Sequence, residues 1–208
     1  MTGETDRPSP PPRYHHGDLR GALIAAGRAL LEEGGVGALS LREAARRAGV
    51  SHAAPRHHFP SLQHFLGDCA ADGFDEFTGA LIAATEGQPT AVECLAAMGR
   101  AYVIFAETHR AMFRLMFNRD SVGERSETLQ TAGRRAYQTL VTAVQALDPA
   151  MPPATLDYRV SAIWSIVHGF AHLSLEQKIC ANPMAKPSAD MAAQAVRDFL
   201  AGIMPQHG

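Results

Sequence analysis

Ser40-Leu41-Arg42-Glu43-Ala44-Ala45-Arg46-Arg47-Ala48-Gly49-Val50-Ser51-His52-Ala53-Ala54-Pro55-Arg56-His57-His58-Phe59-Pro60-Ser61 is the stretch whose punctuation decides the architecture. Ser40 followed three residues later by Glu43 is a capping box, in which the serine oxygen accepts an orphan backbone N–H and the glutamate reaches back to the cap. A short helix over 41–48 is expected to follow. Gly49 can take the left-handed conformation that ends it, and Ser51 can cap a second helix from His52. Pro55, near the first turn, stiffens that helix at little cost. Pro60-Ser61 then closes the segment and caps a longer helix from about Leu62 to Thr85.

Working outward, a helix opens at Gly17-Asp18 and carries Leu19, Leu23, Ile24, Gly27, Leu30 and Leu31 on one stripe before Gly34-Gly35 stops it. Downstream, Gly87-Gln88-Pro89 breaks the chain, and Thr90-Ala91-Val92-Glu93 is a second capping box opening a helix to about His109. A brief apolar helix, Arg110 to Phe117, and a loop at 118–123 come next. Arg134, Tyr137, Leu140, Val141, Val144 and Leu147 then form one helical stripe ending at Asp148-Pro149. From about Thr155 to Ile179 apolar residues fall on more than one face, so that helix is covered on two sides. Ser188 caps a last helix with Ala192, Ala195, Val196, Phe199, Leu200 and Ile203 on its stripe. No alternating strand pattern interrupts this series, so the expected fold class is all-α, about nine helices. The expected division is a disordered arm at 1–13, a three-helix head at 14–62 and a helical body at 63–208.

Composition narrows the classes. The 208 residues suffice for a substantial core. Cys69, Cys94 and Cys180 stand apart without zinc or disulfide spacing, which fits a reducing cytoplasm. The start of the chain has acids and a proline cluster where a secretory signal would have a basic start and an apolar run. No apolar stretch reaches the roughly 20 residues of a membrane span, so a soluble protein is expected. The net charge of −2 hides a division: residues 1–65 hold eight arginines and six acids, and the remainder holds eleven bases and fifteen acids. Six of the ten histidines lie in the first part. A weakly basic, His-rich head on an acidic body suits a DNA-reading module joined to a domain that does not touch DNA.

Two short helices joined by a tight glycine turn are the device that places side chains in the major groove. The run from Tyr14-His15-His16-Gly17-Asp18-Leu19-Arg20 through Ala44-Ala45-Arg46-Arg47-Ala48-Gly49-Val50-Ser51-His52-Ala53-Ala54-Pro55 to His58-Phe59-Pro60-Ser61 resembles the head of the tetracycline-repressor (TetR) family. In the body, Thr108-His109-Arg110-Ala111-Met112-Phe113-Arg114-Leu115-Met116-Phe117 and Trp164-Ser165-Ile166-Val167-His168-Gly169 resemble the Trp-His-Gly subgroup of that family. The resemblance implies a three-helix head with a recognition helix at about 52–58. It also implies an all-α body that dimerises and usually binds a small effector.

Carried over residue by residue, the resemblance makes Ser40 and Ser51 capping positions whose hydroxyls and amides lie beside DNA phosphates, where free N–H groups attract anions. His52, Ala53 and Ala54 match base-edge positions: either alanine can touch a thymine methyl or merely pack, and His52 can bond a base or a phosphate. Arg56 stands where the family usually has a phosphate-touching tyrosine, and Leu62 where it usually has a lysine. Arg56 supplies a forked donor in exchange, while Leu62 can only pack. His57 and His58 are the remaining polar candidates, with solvent exposure as the alternative. Arg42 reaches for the backbone or is simply solvated, and the same two readings hold for Arg46.

In the body, Met98, Tyr102, Phe105, Phe113, Phe117, Tyr137, Trp164 and His168 are the candidate effector-lining residues, against ordinary core burial as the alternative. The last two helices are apolar enough to form a twofold dimer interface, which then matches two half-sites of a near-palindromic operator. The expected function is therefore a cytoplasmic homodimeric repressor released from operator DNA by a small apolar effector. No cofactor, metal or catalytic residue is expected. Two rivals stand beside it: an all-α enzyme or carrier using the His168/His172 pair as metal or cofactor ligands, and a helical interaction module without any small ligand.

Overall fold

The computed structural model describes residues 18–118, 122, 126–178 and 188–203. The expected arm at 1–13, the Tyr14 to Gly17 end of the head motif, Cys180, the loop at 182–187 and most of the loop at 118–123 lie outside the described residues. Eight α-helices are described: α1 Leu19–Gly34, α2 Leu41–Arg47, α3 Leu62–Thr85, α4 Ala91–Thr108, α5 Arg110–Phe117, α6 Glu127–Gln145, α7 Pro153–Leu175 and α8 Ser188–Ile203. Short 3-10 turns occupy Val36–Ala38 and Ala54–His57. Among the described residues no strand occurs, in keeping with the all-α reading.

Helix starts follow the cap chemistry. Asp18 accepts from the Gly21 N–H at 2.8 Å, Ser40 from Glu43 at 3.1 Å, Thr90 from Glu93 at 3.2 Å and Ser126 from Leu129 at 3.2 Å. The reciprocal half of both expected capping boxes does not form. Glu43 instead holds the Arg46 guanidinium at 2.9 Å, and Glu93 holds Arg197 of α8 at 2.7 Å. A carboxylate gains more from a charged, forked donor than from one neutral backbone N–H.

The expected recognition helix from His52 is also corrected. Ala54 N–H donates to Ser51, Arg56 to Ala53 and His58 to Pro55, all three residues back, and Ser51 does not cap the segment with its side chain. Pro55 is buried and has no N–H to give the Ser51 carbonyl, which removes the first four-residue bond of the segment; a four-residue bond returns only where Phe59 N–H donates to the Pro55 carbonyl at 2.8 Å. Gly49, at a φ of 70°, makes the left-handed turn before it.

Leu23, Leu31, Ala44, Ala45, Phe59 and Phe65 are fully buried and form the head's interior, with Phe59 and Phe65 edge to face at 5.1 Å. Gly27 lets α1 press on α3, because a Cβ there would stand 2.6 Å from the Phe65 ring and 2.8 Å from the Cys69 sulfur. Beside this notch, Arg20 pairs with Asp68 at 2.6 Å, and Arg28 pairs with Asp72 at 2.6 Å and also with Glu76. The head is thus fastened to the long helix α3, whose far half enters the body.

In the body, α6 runs parallel to α3: Ser126 packs on Gly67, Gly133 faces Phe74, and Arg135 pairs with Asp75. Helix α7 runs parallel to α4, since Gly99 meets Val167, Tyr102 bonds His168, and Glu107 accepts from Ser174. Helix α8 crosses the other way, with Asp190 on Arg100 and Arg197 on Glu93. These registers decide which side chains face one another across the interior.

Candidate nucleic-acid interface and internal cavity

The head presents Ser51, His52, Ala53, Arg56, His57 and His58 on one exposed surface, with Pro55 and Phe59 turned inward to hold it. Ala54 and Ser40 are half-buried and Arg42 is exposed. The nine candidate DNA residues therefore lie on or beside the turn at 54–57 and the start of α2. Their charges differ in availability. Arg20, Arg28, Arg46 and Arg47 are engaged with Asp68, Asp72 and Glu76, Glu43 and Glu33. Arg42 and Arg56 have no ion pair among the described residues, which leaves their guanidinium groups open to phosphate.

Helices α3, α4, α5, α6 and α7 enclose a cavity of about 960 Å³. Six of the eight residues expected at an effector site line it: Met98, Tyr102, Phe117, Tyr137, Trp164 and His168. The other two do not. Phe113 is fully buried behind the wall, in ring contact with Tyr102 and Phe117. Phe105 is buried one turn beyond Tyr102, edge to face with Phe77, and borders a smaller depression of about 440 Å³. Both lie on apolar stripes, and apolar periodicity alone does not separate core from cavity wall.

Tyr102 and His168 form the polar centre of the wall, the phenol oxygen 2.7 Å from Nδ1. Burial raises the Tyr102 pKa, opposed by a hydrogen bond from Trp164. One proton is shared between the phenol oxygen and Nδ1, on the side that the imidazole tautomer sets. Burial, and then the neighbouring His172, lower His168 to about 4. The imidazole is therefore neutral near pH 7. His172 lies 4.4 Å away ring to ring, and among the described residues no group of three or more His, Cys, Asp and Glu surrounds the pair.

Sequence reading missed Arg114, Gln130, Arg134 and Leu140 as lining residues. Arg134 did carry a signal, since it heads an otherwise apolar stripe on α6. Arg114 did too, set in Ala111-Met112-Phe113-Arg114-Leu115-Met116-Phe117.

A capped helix-turn assembly displaying unpaired arginines, on a helical body built around a cavity, defines a DNA-binding regulator of the helix-turn-helix class. The profile described as "Bacterial regulatory proteins, tetR family" matches residues 23–67, and that described as "Tetracyclin repressor-like, C-terminal domain" matches 95–199. The chain belongs to the TetR family of transcriptional regulators. Among solved structures it is similar to a protein of unknown function from Rhodococcus sp. RHA1, at 33% identity over 93% of this chain and 98% of that one, with a TM-score of 0.77. It shares its fold with a tetR-family transcriptional regulator from Streptomyces coelicolor, at 23% identity over 88% and 78% of the two chains and a TM-score of 0.68. The same holds for the TetR-family regulator PfmR from Thermus thermophilus, at 18% identity over 88% and 99% and a TM-score of 0.55. No curated protein sequence matches the chain. Among the described residues no helix is long and apolar enough to cross a membrane.

Proposed function

We propose that the protein is a homodimeric repressor that occupies a near-palindromic operator and is released when a small effector enters the body cavity. The observation that carries this reading is the division of α3. Its first half holds the head through Phe65, Cys69 and Asp68, and its second half lines the cavity through Phe74, Phe77 and Leu81. An effector that binds two arrangements of this helix with different affinity shifts the heads between them. The head then comprises residues 14–62 and the body 63–208. Ser40, Arg42, Ser51, His52, Ala53, Ala54, Arg56, His57 and His58 face DNA. The work is binding rather than bond-making, as is general for the TetR-family regulators to which the chain belongs.

Two matching stripes support dimerisation through the last two helices. Tyr158, Ala162, Ile166, Gly169 and Leu173 fall on one side of α7, opposite buried Val160, Ile163 and Val167, and Tyr158 is 62% exposed. Met191, Ala195, Phe199 and Gly202 repeat the spacing on α8. Faces of this kind, small and apolar and wide enough for a second helix pair, build isologous four-helix contacts.

Oligonucleotide selection at several salt concentrations tests the reading. It should return a near-palindrome with half-sites one DNA turn, or a multiple, apart, and affinity should fall steeply as salt rises. A strictly monomeric protein, or one indifferent to every duplex, overturns it.

A further inference from the structure

The cavity is unevenly lined, and the helix registers say how. Gly133 opposite Phe74 places Gln130 and Arg134 at one level of α3, together with Phe117 of α5, which is edge to face with Phe74. Arg114 of α5 and His168 and His172 of α7 border the same end, since Phe117 and His168 are 4.8 Å apart. Seven residues further along α3, about 10 Å at 1.5 Å per residue, the wall changes character. There Leu81, Leu95, Met98 and Ile163 are buried, and Leu140 completes the lining.

Among the described residues no Asp or Glu lines this space. Arg114 and Arg134 have no ion pair among the described residues, and both are exposed at the mouth. Glu176 senses Arg114, but its carboxylate is bonded to Lys178. Two arginines with no ion pair among the described residues at one end, and a buried hydrocarbon wall at the other, suit one kind of molecule. An anion seated at the mouth keeps part of its hydration, so two arginines can hold it without the full cost of burying a charge. A cation there would be repelled, and a wholly apolar molecule would leave both arginines without a partner.

We propose that the effector is an amphipathic carboxylate, its head held by Arg114 and Arg134 beside His168 and its apolar tail lying toward Leu81, Leu95 and Ile163. This rests on the effector-cavity reading above and adds the charge class and the orientation.

Trp164, the single tryptophan, lines the cavity and reports occupancy by its emission. Full-length protein would be titrated with dodecanoate, 1-dodecanol and dodecylamine. Dodecanoate should bind at least about tenfold more tightly than the alcohol, the effect of one charge-assisted hydrogen bond, and the amine more weakly than either. In the Arg114→Gln, Arg134→Gln double variant, dodecanoate should fall to the alcohol's affinity while the alcohol is unchanged. Both sites are exposed, and a thermal melt of the free variant checks that it folds. If the alcohol or amine binds as tightly as the acid, or the double variant keeps the preference, the charge assignment is overturned and the cavity reading stands. If none of the three alters Trp164 emission, both fall.

Discussion

Phe59, Phe65, Leu23 and Leu31 fill the head completely, whereas α3, α4, α5, α6 and α7 stand apart around about 960 Å³ of open interior. The head meets its ligand with an outer surface, and its polar groups point outward from a closed core. On the proposed function the body meets its ligand with an inner surface, which Tyr102 and His168 line with polar groups. A DNA reader needs a fixed shape, because contacts to base edges tolerate little displacement. A sensor needs volume it can lose, because closure on the effector is what separates its two states.

The sharpest way to break this contrast is to open the head. Phe59→Ala should cost about 3–5 kcal/mol, the usual loss for a buried aromatic, measured by urea unfolding. Operator binding should go with it, while Trp164 emission still responds to cavity ligands. Loss of that response as well would mean that the head is not separable from the body.

Next in size is the electrostatic term. Arg42→Gln and Arg56→Gln should each weaken binding alike on all duplexes and flatten the log-affinity against log-salt slope by about 1. Arg134→Gln, at the cavity mouth, should leave that slope unchanged.

A smaller effect separates the regions by pH. The folded chain refuses His168 a proton down to about 4, whereas an unperturbed imidazole takes it near 6.5. The stability this residue confers is therefore complete above about pH 6.5 and is lost as pH falls from there towards 4. In His168→Gln the decline over that window should be shallower, read from thermal melts in a pH series. An unchanged slope would mean the imidazole is not held neutral.

Smallest is a matched pair of caps. Ser40→Ala and Thr90→Ala each remove one hydroxyl-to-backbone bond, of 3.1 and 3.2 Å, and should each cost about 1 kcal/mol. Only the Ser40 change should also weaken operator binding. Equal effects on DNA would sink the phosphate role of that helix start.

Much of the head is legible in the chain because its signals are local. Asp18, Ser40, Gly49 and Ser61 act within three or four residues of themselves, so they mark helix starts and the turn without help from the rest of the fold. The recognition segment misleads because its punctuation fits an α-helix. Pro55 does more there than stiffen the first turn, since its missing N–H removes the first four-residue bond from a segment that folds as a 3-10 turn. The cavity is only partly legible. Tyr102, Trp164 and His168 reach it as their aromatic and polar character suggests, but Phe105 and Phe113 share the aromatic character and face elsewhere. Which side of α4 or α5 looks into the interior depends on how those helices rotate against α3 and α7, and that is settled by contacts distant in sequence. The same distance hides the partner of Glu93, which lies 104 residues away.

The junction of α1 with α3 has a mechanical meaning. Arg28 grips acids one turn apart on the same rod, so sliding along it would trade one partner for the other at nearly level energy. What stops the slide is the missing methyl of Gly27, a recess that the Phe65 ring and the Cys69 sulfur fill. Charge acts as the rail and the recess as the detent. On the proposed function, a tilt imposed on the rod in the body arrives at the DNA-facing turn without slip.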